Sequence, residues 1–178
     1  ALTAGAWDVA AQCARAWAHT AELHGPMLAG AGLLEQVRQA LPAAHPMHGP
    51  LLRQEGWIRH SAGRLEQGRA LMEASVAVYR QLQDPLGEAH ALIGAGFASQ
   101  SAGQRDQAAE RYDAALTLGQ THGDAFTEAM ALEYQGLLSR VMGRLPDSEA
   151  RLLQALSIFE RLNNGYHEVI ITHHLSIV

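Results

Sequence analysis

The chain has 178 residues, 48% of them hydrophobic but only 6% aromatic, and a formal net charge of −5. A chain of that size loses about 70% of its unfolded surface on folding, so a core of small and aliphatic side chains forms without a metal or a disulfide. Its 13 basic residues lie scattered among 18 acidic ones, which argues against this segment gripping a nucleic-acid backbone.

No stretch approaches the roughly 18 apolar residues of a membrane span, and no charged-then-apolar leader opens the chain. The one cysteine, Cys13, makes no internal disulfide and fits a reducing compartment. The reading is a cytoplasmic domain without membrane contact, with Cys13 packed as a small hydrophobe on an Ala-rich helix.

Repetition organises the elements. Gly56, Gly96 and Gly136 stand 40 residues apart, as do Gly63, Gly103 and Gly143, and the columns extend to Leu52, Leu92, Leu132, to Leu86, Phe126, Tyr166 and to Asp84, Asp124, Asn164. The first 45 residues allow two registers, a slide of 98 that matches Ala4-Gly5 to Ala102-Gly103 and a slide of 38 that matches Gly25 and Gly30 to Gly63 and Gly68. The second is preferred because it pairs a helix from Thr3 to His24 with one from Pro26 to Leu41 and leaves no helix unpaired. A longer loop, Pro42 to Pro50, follows and holds His45 and His48 in a flexible segment.

Farther on, Leu86 to Ala102 is rich in Ala and Leu at helical spacing, Gly103 supplies a turn, and Gln104 to Gln120 resumes with Ala108, Tyr112, Ala115 and Leu116 on one face. Each unit is thus two helices with a tight turn, over approximately 3–45, 46–85, 86–125 and 126–164, all in a single domain. A ninth helix, Gly165 to Val178, begins a fifth unit. Its apolar residues, including Val169-Ile170-Ile171 and Leu175, stand where an end cap is polar, so the chain is expected to be a fragment of a larger protein.

With Gly103 at the turn, Leu92, Gly96, Ala108, Tyr112 and Ala115 fall where the tetratricopeptide pattern asks for a large residue, a small one, Ala, an aromatic and Ala. The chain resembles the tetratricopeptide (TPR) family in a long-period, about 40-residue form similar to arrays of bacterial signalling and transcription regulators and of peptide-binding scaffolds. The resemblance implies an all-α, right-handed solenoid of about nine helices whose first helices line a concave face.

Catalysis finds no support: there is no Gly-rich phosphate loop, no nucleophile elbow and no His-Glu-x-x-His. The ten histidines form only loose sets, among them His167, His173 and His174, and are expected to be solvated or hydrogen-bonded. No enzyme activity, metal or cofactor is expected.

Counting from the turns places His19, Trp57, Phe97, Leu137 and Ile177 at one equivalent position of successive first helices. Arg15, Arg53, Ile93, Glu133 and His173 form a second row, and Glu22, His60, Gln100 and Arg140 a third. The leading expectation is a groove for a protein or peptide partner, with Trp57, Phe97 and Leu137 as anchors and Arg53, Glu133 and Arg140 as orienting charges. Against it stands burial of the same rows by adjacent helices. Alternatives are a sensor or coupling arm of a multidomain transcription regulator, and self-association, such as a homodimer through the C-terminal helix.

Overall fold

The computed structural model describes residues 4–177, the side chains of 4 and 22–24 excepted. It is all-α, with no strand among the described residues: α1 (Ala4–His24), α2 (Met27–Ala40), α3 (His48–Ser61), α4 (Leu65–Leu82), α5 (Pro85–Ser101), α6 (Arg105–Thr121), α7 (Ala125–Val141), α8 (Leu145–Arg161) and α9 (Gly165–Leu175). Thr3 and Val178, assigned by the sequence to helix ends, lie outside the described residues. The chain divides into two compact units, Ala1–Gly87 and Glu88–Val178.

The turns show why the columns exist. Gly63, Gly103 and Gly143 adopt φ of +79°, +75° and +75°, the left-handed conformation glycine takes without strain. In each turn the next amide but one closes a six-residue ring, from Arg64 N to Arg59 O at 2.8 Å and from Gln104 to Ser99 and Arg144 to Ser139 at 2.9 Å, so that orphan carbonyls at the helix end are satisfied. The turns that end the second helices repeat the device with Gln83, Gly123 and Asn163, all at positive φ.

The column of Asp84, Asp124 and Asn164 follows those turns and serves the next helix. Asp124 Oδ1 accepts from Thr127 N at 2.7 Å, Asp84 Oδ1 from Gly87 N at 2.9 Å and Asn164 Oδ1 from His167 N at 3.3 Å. Each caps an otherwise unpaired amide in a first turn. The hydrogen bond from Thr127 holds the Asp124 carboxyl below the usual range.

In the first unit, α1 pairs with α2 and α3 with α4. Ala11, Ala14, Ala18, Ala31, Leu34, Leu51 and Ile58 are its buried centre. A Cβ on Gly68 would stand 2.7 Å from Gly56 O, and one on Gly30 would stand 3.2 Å from Ala18 Cα. The two closest helix approaches therefore occur at positions 38 residues apart.

Two local expectations are corrected in this unit. Cys13 is exposed, because the Ala11, Ala14 and Ala18 stripe turns the other side of α1 inward. The segment after α2 is shorter than expected, since α3 starts at His48. His45 is held rather than flexible: its ring lies 3.6 Å from Asp8, and its Nδ1 accepts from Met47 N at 3.3 Å.

In the second unit, α7 packs on α6 and α8, and α8 on α9. Ala129, Leu132, Leu152, Ala155, Ile158, Phe159 and Ile171 form one cluster, and Ala108, Tyr112 and Leu138 another. Arg111 and Arg151, one repeat apart, each reach back to the first helix of their own hairpin. Arg111 donates to Ala95 O at 3.0 Å and to Ser99 Oγ, and Arg151 donates to Gln135 Oε1.

Candidate binding surface on the first helices

The three rows lie one helical turn apart on the first helices, because steps of three and four residues stay on one face of an α-helix. In the first unit, Trp57 and Arg53 on α3 are half-buried, His60 is buried, Arg15 on α1 is half-buried and His19 is exposed. Glu22 lies outside the described side chains. Burial lowers the pKa of His60, which favours the neutral ring.

Side chains that the sequence did not single out organise this end of the surface. Arg15 Nε donates to Gln54 Oε1 at 3.2 Å, and Gln54 Nε2 donates to Arg15 O at 2.9 Å. Burial pushes the pKa of the Tyr79 hydroxyl up, and the charge of the nearby Arg53 opposes that. The Tyr79 ring is held by two glycines, since a Cβ at Gly49 would come within 2.8 Å of it and one at Gly87 within 2.2 Å.

In the second unit, Phe97, Gln100, Leu137 and Arg140 are half-buried, whereas His173 and Ile177 are exposed. Phe97 meets Tyr134 edge to face, with centroids 6.2 Å apart. Gln100 Oε1 accepts from the Tyr112 hydroxyl at 3.1 Å. Three of the eleven residues assigned to the partner surface are buried, His60 at 8%, Ile93 at 4% and Glu133 at 5% exposure.

Glu133 is covered by α9. His174 Nε2 stands 3.4 Å from one carboxylate oxygen and His167 Nδ1 3.8 Å from the other. Burial pushes the carboxyl up to about 7. Both imidazoles are themselves lowered, His167 by burial and His174 by burial first, then by Arg140 and His173. Each ring thus resists the charge that would offset a buried carboxylate, and Glu133 Oε2 has no hydrogen-bond partner.

The sign of the pH dependence follows. A carboxyl whose folded pKa lies above its unfolded value contributes stability below about pH 4.5 that is lost as pH rises through about 7. The histidines act oppositely, losing stability as pH falls below 6.5. Glu133→Gln isolates the carboxyl term: the variant should match the parent near pH 4 and exceed it by about 1–3.5 kcal/mol at pH 8, the upper bound being 2.5 pKa units at ~1.4 kcal/mol each. Urea denaturation at both pH values measures this, and equal stabilities at pH 8 would refute it.

No three His, Cys, Asp or Glu side chains among the described residues stand where they could hold a metal ion. No described helix is long and apolar enough to cross a membrane. Tyr166 and Val169 on α9 stay exposed at 74% and 71%; the helix ends at Leu175, short of the expected Val178, so Ile177 lies beyond it and is 53% exposed.

No family model matches the chain, and neither does any curated protein. Solved structures do. The nearly identical TPR-like repeats of a Podosopora anserina kinesin light chain superpose with a TM-score of 0.70 at 16% identity, over 92% of this chain and 82% of that one. The apo form of RapI superposes with a TM-score of 0.68 at 9% identity over 84% of this chain and 42% of RapI. BtubC from P. vanneervenii gives 0.65 at 13% identity over 97% and 80%. Such low identities speak to the fold, and together with the repeated glycine turns and hairpins they establish that the chain has a TPR-type helical-repeat fold.

Proposed function

We propose that the chain is a scaffold that binds a peptide or helix of a protein partner on the exposed side of its first helices. One observation carries this reading. The column that holds Trp57 in the first unit and Phe97 and Leu137 in the second keeps large apolar side chains half-exposed, whereas Leu52, Leu92 and Leu132, one turn earlier, are buried. Aromatic side chains with apolar area left in water are what peptide recognition uses as anchors.

Around the anchors, Arg53 and His60 border Trp57, and Gln100, Arg140, His173 and Ile177 border Phe97 and Leu137. Ile93 and Glu133 contribute by fixing the helices rather than by contact. The TPR-like repeats of the kinesin light chain share this fold, which supports a binding role over a catalytic one.

The test is a display library of peptides selected on the full chain. Trp57→Ser and Phe97→Ser are each expected to weaken the selected peptides about 30-fold, the size of a 2 kcal/mol anchor, with the circular dichroism spectrum unchanged. Unchanged affinity in both variants, or lost helicity, would show that these side chains are core.

A further inference from the structure

A first helix is covered from two directions, and α7 shows which residues meet which neighbour. Toward the preceding hairpin, a Cβ at Gly119 of α6 would stand 2.9 Å from Glu128 N and 3.2 Å from Thr127 Cγ2. Toward its own partner, Ala129 and Leu132 share a buried cluster with Leu152 and Ala155 of α8, and a Cβ at Gly136 would stand 2.9 Å from Leu152 Cγ. The same column meets Tyr112 of α6 at Gly96, and Gly68 and Met72 of α4 at Gly56.

Carried forward by 40 residues, the columns that meet a second helix arrive at Tyr166, Val169, Thr172 and, just past the end of α9, Ser176. The opposite side of α9 is filled: Ile171 is fully buried in the cluster of α8, and His167 stacks on Phe159. The side of these columns is open. Ala89 and Ala129 are fully buried, whereas Val169 in the same column is 71% exposed and Tyr166 beside it 74%. Three residues apart on a helix, the two side chains form one apolar patch. The only Asp, Glu, Lys or Arg of α9 is Glu168, which is half-buried, and Thr172 and Ser176 continue the open side without charge.

We propose that this side of α9 docks a helix of another protein, one that carries the pattern of the chain's own second helices. That pattern is a small residue, a large one four positions on and a small one three further, as in Ala108, Tyr112, Ala115 of α6 and Ser148, Leu152, Ala155 of α8. All six are fully buried, because this is the shape that fits a first helix. The occupant runs antiparallel to α9, as each second helix does to its first, and brings its later small residue to Val169. Val169 is larger than the Ala89 and Ala129 of its column, so a small residue opposite it keeps the helices in contact. The surface is separate from the column of Trp57, Phe97 and Leu137 and stands whether or not that column binds a peptide.

The probe is a peptide with the sequence of α6, Arg105–Thr121, held helical by a hydrocarbon staple across positions 106 and 110, both exposed in the chain. Added to the isotope-labelled full chain, it should shift the backbone amide signals of Tyr166, Val169 and Thr172 saturably. The same peptide with Ala115→Leu should bind at least tenfold more weakly. In the chain, Val169→Glu and Tyr166→Ser should each weaken the stapled peptide at least tenfold with Tm unchanged, since both side chains lie open to solvent. Leu153→Glu, at a side chain of α8 that is 49% exposed, and Trp57→Ser should leave its affinity as it is.

Absence of binding, equal affinity for the Ala115→Leu peptide, or loss of affinity in Leu153→Glu or Trp57→Ser would overturn the proposal. Signals of Tyr166 and Val169 that move with protein concentration in the absence of peptide would also overturn it, by assigning the surface to a second copy of this chain.

Discussion

Phe159→Ala should destabilise the second unit by about 3–5 kcal/mol, the range for emptying a fully buried aromatic position. The Phe159 ring is wholly buried and joins three helices. It stacks on His167 of α9 at 4.5 Å between centroids and 13° between planes, and it meets Phe126 of α7 edge to face at 5.8 Å. Removing it takes the apolar floor from under α9, so amide exchange in α9 should accelerate before that in α7. Phe159→Leu, which restores most of the volume, should cost about 1–2 kcal/mol. A loss below about 1 kcal/mol for the alanine variant in urea denaturation would mean that α9 does not depend on this ring.

The dependence of α9 on Phe159 also shows what the sequence could and could not reveal. Columns 40 residues apart disclose the hairpins, because a repeated backbone conformation needs a repeated residue: Gly63, Gly103 and Gly143 all sit at positive φ. The column of Asp84, Asp124 and Asn164 is equally visible, but its capping role emerges only when the Thr127 and His167 amides are seen to point at it. Cys13 escaped because an Ala-rich helix gives little contrast between its faces, so periodicity does not say which one is buried.

The surface rows were legible as rows and not as environments. Position 133 matches positions 53 and 93 in the repeat, yet Arg53 is half-buried beside Tyr79 whereas Glu133 lies under two imidazoles of α9. What covers a residue of a first helix is the next first helix, and its contribution comes from a different row: His174 and Tyr134 share the column of Gln54 and Gly94. A one-residue offset between rows therefore carries the contacts. Reading positions 54, 94, 134 and 174 beside 53, 93, 133 and 173 is the signal that identifies Gln54 as the partner of Arg15 and Tyr134 as the partner of Phe97.

Glycines within helices give the sharpest contrast, since one substitution should have opposite signs at two of them. In a helix interior, Gly→Ala gains about 0.5–1 kcal/mol from backbone entropy. Gly32 in α2 has open space where a Cβ would sit, so Gly32→Ala should realise that gain. At Gly68 in α4, the same methyl would stand 2.7 Å from Gly56 O and 2.8 Å from both the His60 amide nitrogen and its Cβ. Two of these three atoms are backbone of α3, which cannot turn aside as a side-chain end can, so α3 and α4 must separate. Overpacking of this kind costs about 1–3 kcal/mol or more; Gly68→Ala should therefore destabilise by about 1–2 kcal/mol net, and Gly68→Val by more than 3 kcal/mol, enough to break the α3–α4 pairing in a marginally stable unit. Thermal denaturation of the three variants decides the matter: stabilisation by Ala at position 68 would mean that the helices yield there, and with it the claim that close backbone approach fixes the pairing of α3 and α4 would fall.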